Sequence, residues 1–221
     1  MPNHQLSDLP AQLLERVRVI SESSNENGHC VLYWMQTAMR AAENPALEVA
    51  IWIAAQQRVP LLVYQAISQH DDYASDRHHL FMLEGARDVQ MQFLQRGISY
   101  VFHLATRDDY GSHLTALAEQ ATIVVTEEMP VDPPRRCLTA LASQVATPVI
   151  CVDTACVVPV RLLKRHYTRA FEFRSATEKL YGERLTREWP DMDCAVRPFD
   201  LSTLPFQPID LQVADLPELV S

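Results

Sequence analysis

Five apolar runs separated by helical stretches, all between Cys30 and Asp153, constrain this chain more than any other feature. The runs are Cys30–Trp34, Leu61–Ile67, Ser99–Leu104, Ile123–Thr126 and Val149–Asp153. Each is short and nearly continuous in apolar character, as strands covered on both faces are. The segments between them carry helical spacing. Asn44-Pro45 supplies an N-cap and a first-turn proline for a helix running to about Gln57. Ser75 or Asp76 opens the longest helix, and Gly97 stands where a left-handed C-terminal residue is wanted. Leu114–Gln120 and Pro134–Gln144 complete the series. Such alternation with short connections specifies an α/β fold: a Rossmann-like, five-stranded parallel sheet with helices on both faces and right-handed crossovers.

The flanks read differently. Residues 1–29 form a polar N-terminal segment, with a short helix over Ala11–Val19 and a loop at Ser21–Gly28. Residues 30–160 are the α/β domain, and residues 161–188 a charged, partly helical segment. From Trp189 to Ser221, Pro190, Pro198, Pro205, Pro208 and Pro217 mark an extended, Pro-rich C-terminal linker, expected on a surface and outside the core. A length of 221 residues suits one domain plus a tail. No apolar run reaches the ~18–20 residues that span a bilayer, and no basic-then-apolar leader opens the chain. The expected location is therefore cytoplasmic, with no membrane partner. Acidic residues outnumber basic ones 28 to 19, and the net charge of −9 argues against strong DNA binding by this chain alone. Cys30, Cys137, Cys151, Cys156 and Cys194 form no close CxxC pair and read as reduced thiols.

Ligands of open parallel sheets bind beyond the C-terminal strand ends, near the point where strand order reverses. The loops there carry Met35, Gln36 and Arg40; His70, Asp71 and Asp72; Arg107 and Asp108; Glu127 and Glu128; and Thr154. The first of them, Tyr33 to Asn44, contains no glycine. Neither a dinucleotide fingerprint nor a P-loop can be built there, because both need glycines for close backbone approach to phosphate. His78 and His79 point about 100° apart on a helix and cannot share an ion. With no HxxxH, HExxH or paired-cysteine pattern, no metal site is expected. There is no GxSxG elbow, and Cys156 near Asp153 is a pairing almost any sequence can offer. No catalytic residue is assigned. Glu127 and Glu128 read either as functional carboxylates or as solvated surface. Arg40 reads as ligand-facing or as one half of a surface salt bridge. Trp34 reads as core or interface. Arg161–Arg174 is the one basic stretch, interleaved with aromatics; it either touches nucleic acid or packs against a partner.

Four stretches carry a family resemblance. VLYWMQTAMRAAENPALEVAI (31–51) resembles the opening of DNA photolyases and cryptochromes, where a strand ending in an aromatic precedes an Arg-containing loop and an Asn-Pro-Ala-Leu helix start. Here these are Trp34, Arg40 and Asn44-Pro45-Ala46-Leu47. The YWMQ wording and RHHLFMLEGARDVQMQFLQRGISYVF (77–102) are similar to the class II branch, which acts on cyclobutane pyrimidine dimers. PVICVDTACVVPV (148–160) and FDLSTLPFQPIDL (199–211) resemble the fifth strand and the interdomain linker. Two details depart from the family pattern: Thr126-Glu127-Glu128-Met129-Pro130 replaces an Asp-containing turn with aromatics, and Ala38 stands where many relatives have an acid.

The resemblance implies a photolyase-like N-terminal α/β domain, stand-alone or split, of the kind that holds an antenna pigment, a deazaflavin or a folate. In the family, reduced FAD drives light-dependent dimer repair, but FAD and the lesion bind a helical domain beyond the matched stretch. FAD is therefore expected only if a partner chain supplies its pocket, and a helical flavin-binding protein or domain is the expected partner. Met35, Gln36, Arg40 and Glu127 are the expected cofactor-binding residues. The alternative is a non-catalytic interaction or regulatory domain that has lost pigment and flavin.

Overall fold

The computed structural model describes residues 6–68, 75–106, 111–163, 165–190, 192 and 194–220. The five expected strands form one parallel array: β2 (Cys30–Met35), β3 (Pro60–Ser68), β4 (Ser99–Ala105), β5 (Ala121–Glu127) and β6 (Val149–Val152). Four helices cross between them: α2 (Pro45–Gln57), α3 (Asp76–Gln95), α4 (Ser112–Gln120) and α5 (Pro134–Gln144). Their order across the sheet is β6-β5-β2-β3-β4. Strand order therefore reverses between β2 and β5, and the C-terminal ends of these two strands flank the switch point.

The period-two alternation of strands sorts the apolar residues onto two faces. Val31, Tyr33, Val63, Val125 and Ile150 pack with α2 and α3 on one face. Leu32, Leu62, Val101, Val124 and Cys151 pack with α4 and α5 on the other. Helix α2 is buried nearly all round, from Pro45 to Ala54. Its start follows the local chemistry: the Asn44 side chain accepts the N–H groups of Ala46 and Leu47, and Pro45 sits where no N–H is needed. Gly97, at φ +66, ends the turn after α3 as its place in the sequence requires.

The flanks contribute more to the fold than their composition suggests. The short helix expected over Ala11–Val19 spans only Ala11–Leu14 (α1), and Val17–Ser21 is a strand, β1. This strand pairs antiparallel with β6, in register Val17↔Val152 and Val19↔Ile150. Leu6, Leu9 and Leu13 are buried beside it. Gly28 then passes so close to β5 that an added Cβ would lie 2.4 Å from the Thr122 nitrogen.

The Pro-rich tail also enters the core. A two-residue strand, β7 (Arg197–Pro198), pairs with the start of β3 just ahead of β4 and brings the sheet to seven strands. Phe199 is buried on one face of the sheet, and Leu211 and Leu216 are buried on the other. Between them, the Ile209 N–H donates to the Phe102 carbonyl at 3.0 Å, so the tail crosses the outer edge of β4. On the far side, Arg87 of α3 donates to the carbonyls of Leu211 and Ala214 at 2.8 and 3.0 Å. Covering an edge strand in this way removes a template for intermolecular pairing.

The remaining helix, α6 (Ala170–Leu185), has Thr177 as its one buried residue. No helix of the described residues is long and apolar enough to cross a membrane.

Candidate site at the strand switch point

The last residue of β5, Glu127, organises the switch point. Ile123, Val125 and Glu127 alternate onto the same face, and this puts the carboxylate inside, 1% exposed. Five groups donate to it. The Gln36 N–H and the Tyr33 hydroxyl reach Oε1 at 3.0 and 2.9 Å. The N–H groups of Thr37 and Ala38 and the Thr37 hydroxyl reach Oε2 at 2.7, 2.8 and 2.5 Å. The loop after β2 thus presents a row of backbone N–H groups, as phosphate-binding loops do. Here the protein's own carboxylate occupies the cradle. Charge-assisted bonds of this kind are the strong ones.

A second layer supports the first. The Asn44 side-chain amide donates to the carbonyls of Ala38 and Arg40 and to the Tyr33 hydroxyl, at 3.1, 3.0 and 3.0 Å. The same residue that caps α2 therefore ties the loop to the strand. Burial, and then the Glu127 charge, push the Tyr33 hydroxyl well above its ordinary pKa, which keeps it a neutral donor.

Of the four residues expected to bind a cofactor, Met35 is fully buried in the core and Glu127 is engaged by the loop. Gln36 and Arg40 face outward. Gln36 is half-buried, and its amide donates to the Thr126 hydroxyl at 2.9 Å. That hydroxyl in turn donates to the Trp34 carbonyl at 2.8 Å. Arg40 is exposed and reaches across the sheet end to the Thr154 carbonyl at 3.1 Å, joining the loops after β2 and β6. Trp34 is half-buried on the α4–α5 face.

Other strand-end groups have structural partners. Glu128 pairs with Arg18 of β1 at 2.6 Å. Asp153 accepts the N–H groups of Ala155, Cys156 and Val160 at 3.2, 3.0 and 3.0 Å, so it shapes the turn. His70, Asp71, Asp72, Arg107 and Asp108 lie outside the described residues.

Two features were invisible in the sequence. Further along the α4–α5 face, Tyr64, His103 and His113 gather around Phe206 of the tail, with both His–Phe ring centroids about 5 Å apart. The Tyr64 hydroxyl and His103 Nδ1 are 3.1 Å apart. A groove of about 800 Å³ shares none of the strand-end side chains above. Its walls include Glu48, Ile51, Arg96, Trp189, Met192 and Val196. Glu48 is 1% exposed there; it accepts the Met192 N–H at 3.1 Å and lies 3.7 Å from the Arg96 guanidinium.

Chemically, the described residues of the switch point can bind and orient, and none of them is an activated nucleophile. Its carboxylate is occupied by donors, and its outward groups are an indole, an amide and a guanidinium. Among the described residues, no group of three His, Cys, Asp or Glu side chains converges on a metal position.

A sequence profile of the DNA photolyase family matches residues 31–191, from the start of β2 past the end of α6. The chain belongs to the DNA photolyase family. Deoxyribodipyrimidine photo-lyase of Methanothermobacter thermautotrophicus is 33% identical over 147 residues, which are 66% of this chain and 32% of that protein. The enzyme of the same name from Oryza sativa subsp. japonica is 30% identical over 194 residues, 84% of this chain and 37% of that protein. This photolyase-family domain thus spans about a third of the length of the curated relatives it matches. Among solved structures, a protein of the universal stress protein family from Burkholderia pseudomallei aligns over 57% of this chain and 97% of its own, at 20% identity and a TM-score of 0.37. The family match covers the Trp34 strand end, the Glu127 cradle and the Asn44 cap together.

Proposed function

We propose that this photolyase-family domain serves light-driven repair of cyclobutane pyrimidine dimers, as the α/β half of a photolyase whose flavin is bound by a helical partner. In this reading the domain holds an antenna pigment, a deazaflavin or a folate, at the strand ends. Trp34, Gln36 and Arg40 contact the pigment, while Met35 and Glu127 hold the loop that presents them. The class II branch is the subgroup we assign it to, on the YWMQ wording of the first strand end. A reducing, cytoplasmic location accords with the five free cysteines.

The observation that carries the reading is the family match across 31–191, coincident with a switch-point loop whose amides are already filled. An amide cradle occupied by Glu127 has no room for the phosphates of a nucleotide. What remains outward suits a neutral planar ring: a half-buried indole with an amide and a guanidinium beside it. The pigment would pass excitation energy to the flavin in the partner; this domain's own groups bind, orient and shield it.

The test is the near-UV and visible absorption spectrum of the protein purified from its native host. A band that stays with the protein through gel filtration, and is lost in Trp34→Ala and Gln36→Ala, is the expected result. A bare aromatic spectrum overturns pigment binding.

A further inference from the structure

The basic stretch Arg161–Arg174 takes no part in the strand-end site. It holds five of the chain's 19 basic residues and one of its 28 acidic ones, with Tyr167, Phe171 and Phe173 between them. It runs from a single 3-10 turn, Val160–Leu162, into the first turns of α6. Elsewhere Arg18, Arg96, Arg135, Arg136, Lys179 and Arg184 each stand within ion-pair distance of a carboxylate. Arg161, Arg165, Arg169 and Arg174 are all exposed, and among the described residues none of them forms an ion pair. In a chain with an excess of acids, four unpaired guanidinium groups so close in sequence make a local positive field.

The rings between these arginines are turned outward too. Phe171 is 65% exposed and Phe173 47%. The Arg165 guanidinium lies over the Tyr167 ring at 4.9 Å, and Tyr167 meets Phe173 edge-on at 5.9 Å. The arm before α6 is thereby held against the helix's first turns. Phe171 and Arg174, three residues apart on α6, share a flank. Exposed rings alternating with arginines suit a single strand of nucleic acid: guanidinium groups take the phosphates, and rings take unpaired bases. Carboxylates alone would satisfy the arginines but give the rings nothing to stack on. A duplex keeps its bases stacked inside.

We propose that residues 161–174 form a contact surface for single-stranded nucleic acid, with Arg161, Arg165, Arg169 and Arg174 on phosphates and Phe171 stacked on a base. The proposal deepens the repair reading above and rests on it for the surface's purpose, not for its chemistry. The α/β half adds its own grip on a strand whose bases are unpaired. The contact is local and modest, because the net charge of −9 sets the rest of the chain against a polyanion.

The test uses the full chain and a fluorescein-labelled oligothymidylate of about twelve nucleotides. Binding is read by anisotropy from about 50 to 200 mM salt. The logarithm of the affinity should fall against the logarithm of salt with a slope of about −3, as four phosphate contacts on a single strand require. Arg169→Gln with Arg174→Gln should weaken binding at least ~tenfold at the lowest salt and roughly halve that slope. Phe171→Ala should weaken it at least ~fivefold and leave the slope unchanged, because it removes stacking and no charge. An abasic strand of equal length and charge should bind at least ~fivefold more weakly than the oligothymidylate. The circular dichroism melts of the variants should match the parent's, since all three side chains are exposed. Absent binding at the lowest salt overturns the proposal, as does a slope that the double variant leaves unchanged or an abasic strand that binds equally well. So does polyglutamate that displaces the strand at equal charge concentration, or a concentration-dependent dimer that the double variant abolishes. No pigment or flavin enters this readout, so its failure and that of the antenna reading are told apart.

Discussion

At the scale of single residues, one carboxylate decides the geometry of the site. Glu127 satisfies three backbone N–H groups and one hydroxyl of the loop that faces the ligand region, together with the Tyr33 hydroxyl of β2. Glu127→Gln keeps the shape but turns an acceptor oxygen into an amide donor pointed at other donors. It should cost about 3 kcal/mol, since buried donors lose charge-assisted partners. Urea denaturation measures the loss, and faster amide exchange at Thr37 and Ala38 shows that it is local. Unchanged exchange at these two amides would remove the cradle from the account. Gly28 makes a second residue-scale prediction. Its approach to the backbone of Ala121 and Thr122 leaves no space for a methyl group, so Gly28→Ala must push the chain away from β5. The expected loss is about 2–3 kcal/mol by the usual cost of overpacking, read as a lower urea midpoint.

At the scale of elements, the tail is a structural part of the sheet. It supplies β7, crosses the edge of β4 and buries a leucine against α3. Leu211 is 0% exposed and neighbouring Val213 is 81% exposed, which makes an internal control. Leu211→Ala should cost about 2–4 kcal/mol by transfer and cavity terms, while Val213→Ala stays within about 0.5 kcal/mol. Equal effects from the two would mean that the tail is not docked in solution. Helix α6 is the opposite case: among its described residues Thr177 alone is buried.

At the scale of the whole molecule, stability should fall at alkaline pH, and the buried thiols set the sign. Burial pushes Cys30 and Cys151 from 9.0 up to about 12. Below pH 9 both thiols are protonated in the folded and unfolded chains, and their contribution is constant. Between about pH 9 and 12 the unfolded chain gives up protons that the folded one retains. Unfolding is then favoured by about 1.4 kcal/mol per pH unit for each thiol. The urea midpoint should drop steadily across that window, and Cys30→Ala with Cys151→Ala should flatten the slope. A disulfide-exchange reagent at neutral pH should label exposed Cys194 first and leave Cys30 and Cys151 unmodified until unfolding.

Much of this was legible along the chain. The five parallel strands, the Asn44-Pro45 helix start and the Gly97 stop follow from local rules, because apolar period, capping and backbone freedom act within a few residues. The family resemblance lies in the same stretch. Glu127 was partly legible: it continues the inward alternation of Ile123 and Val125, but a carboxylate at a strand end equally suits solvent. Only assembly decides, because the amides that satisfy it come from a loop about ninety residues earlier, brought over β5 by the reversal of strand order. The same holds for β1, a short stretch whose only strand partner is the distant β6, and for the tail, whose Phe199, Leu211 and Leu216 are single apolar residues with no period to betray them. Local sequence determined which elements form, since their hydrogen bonds close near at hand. Tertiary structure alone decided which polar groups are buried and which flanks are core, since those partners lie far away along the chain and meet only when the sheet is complete.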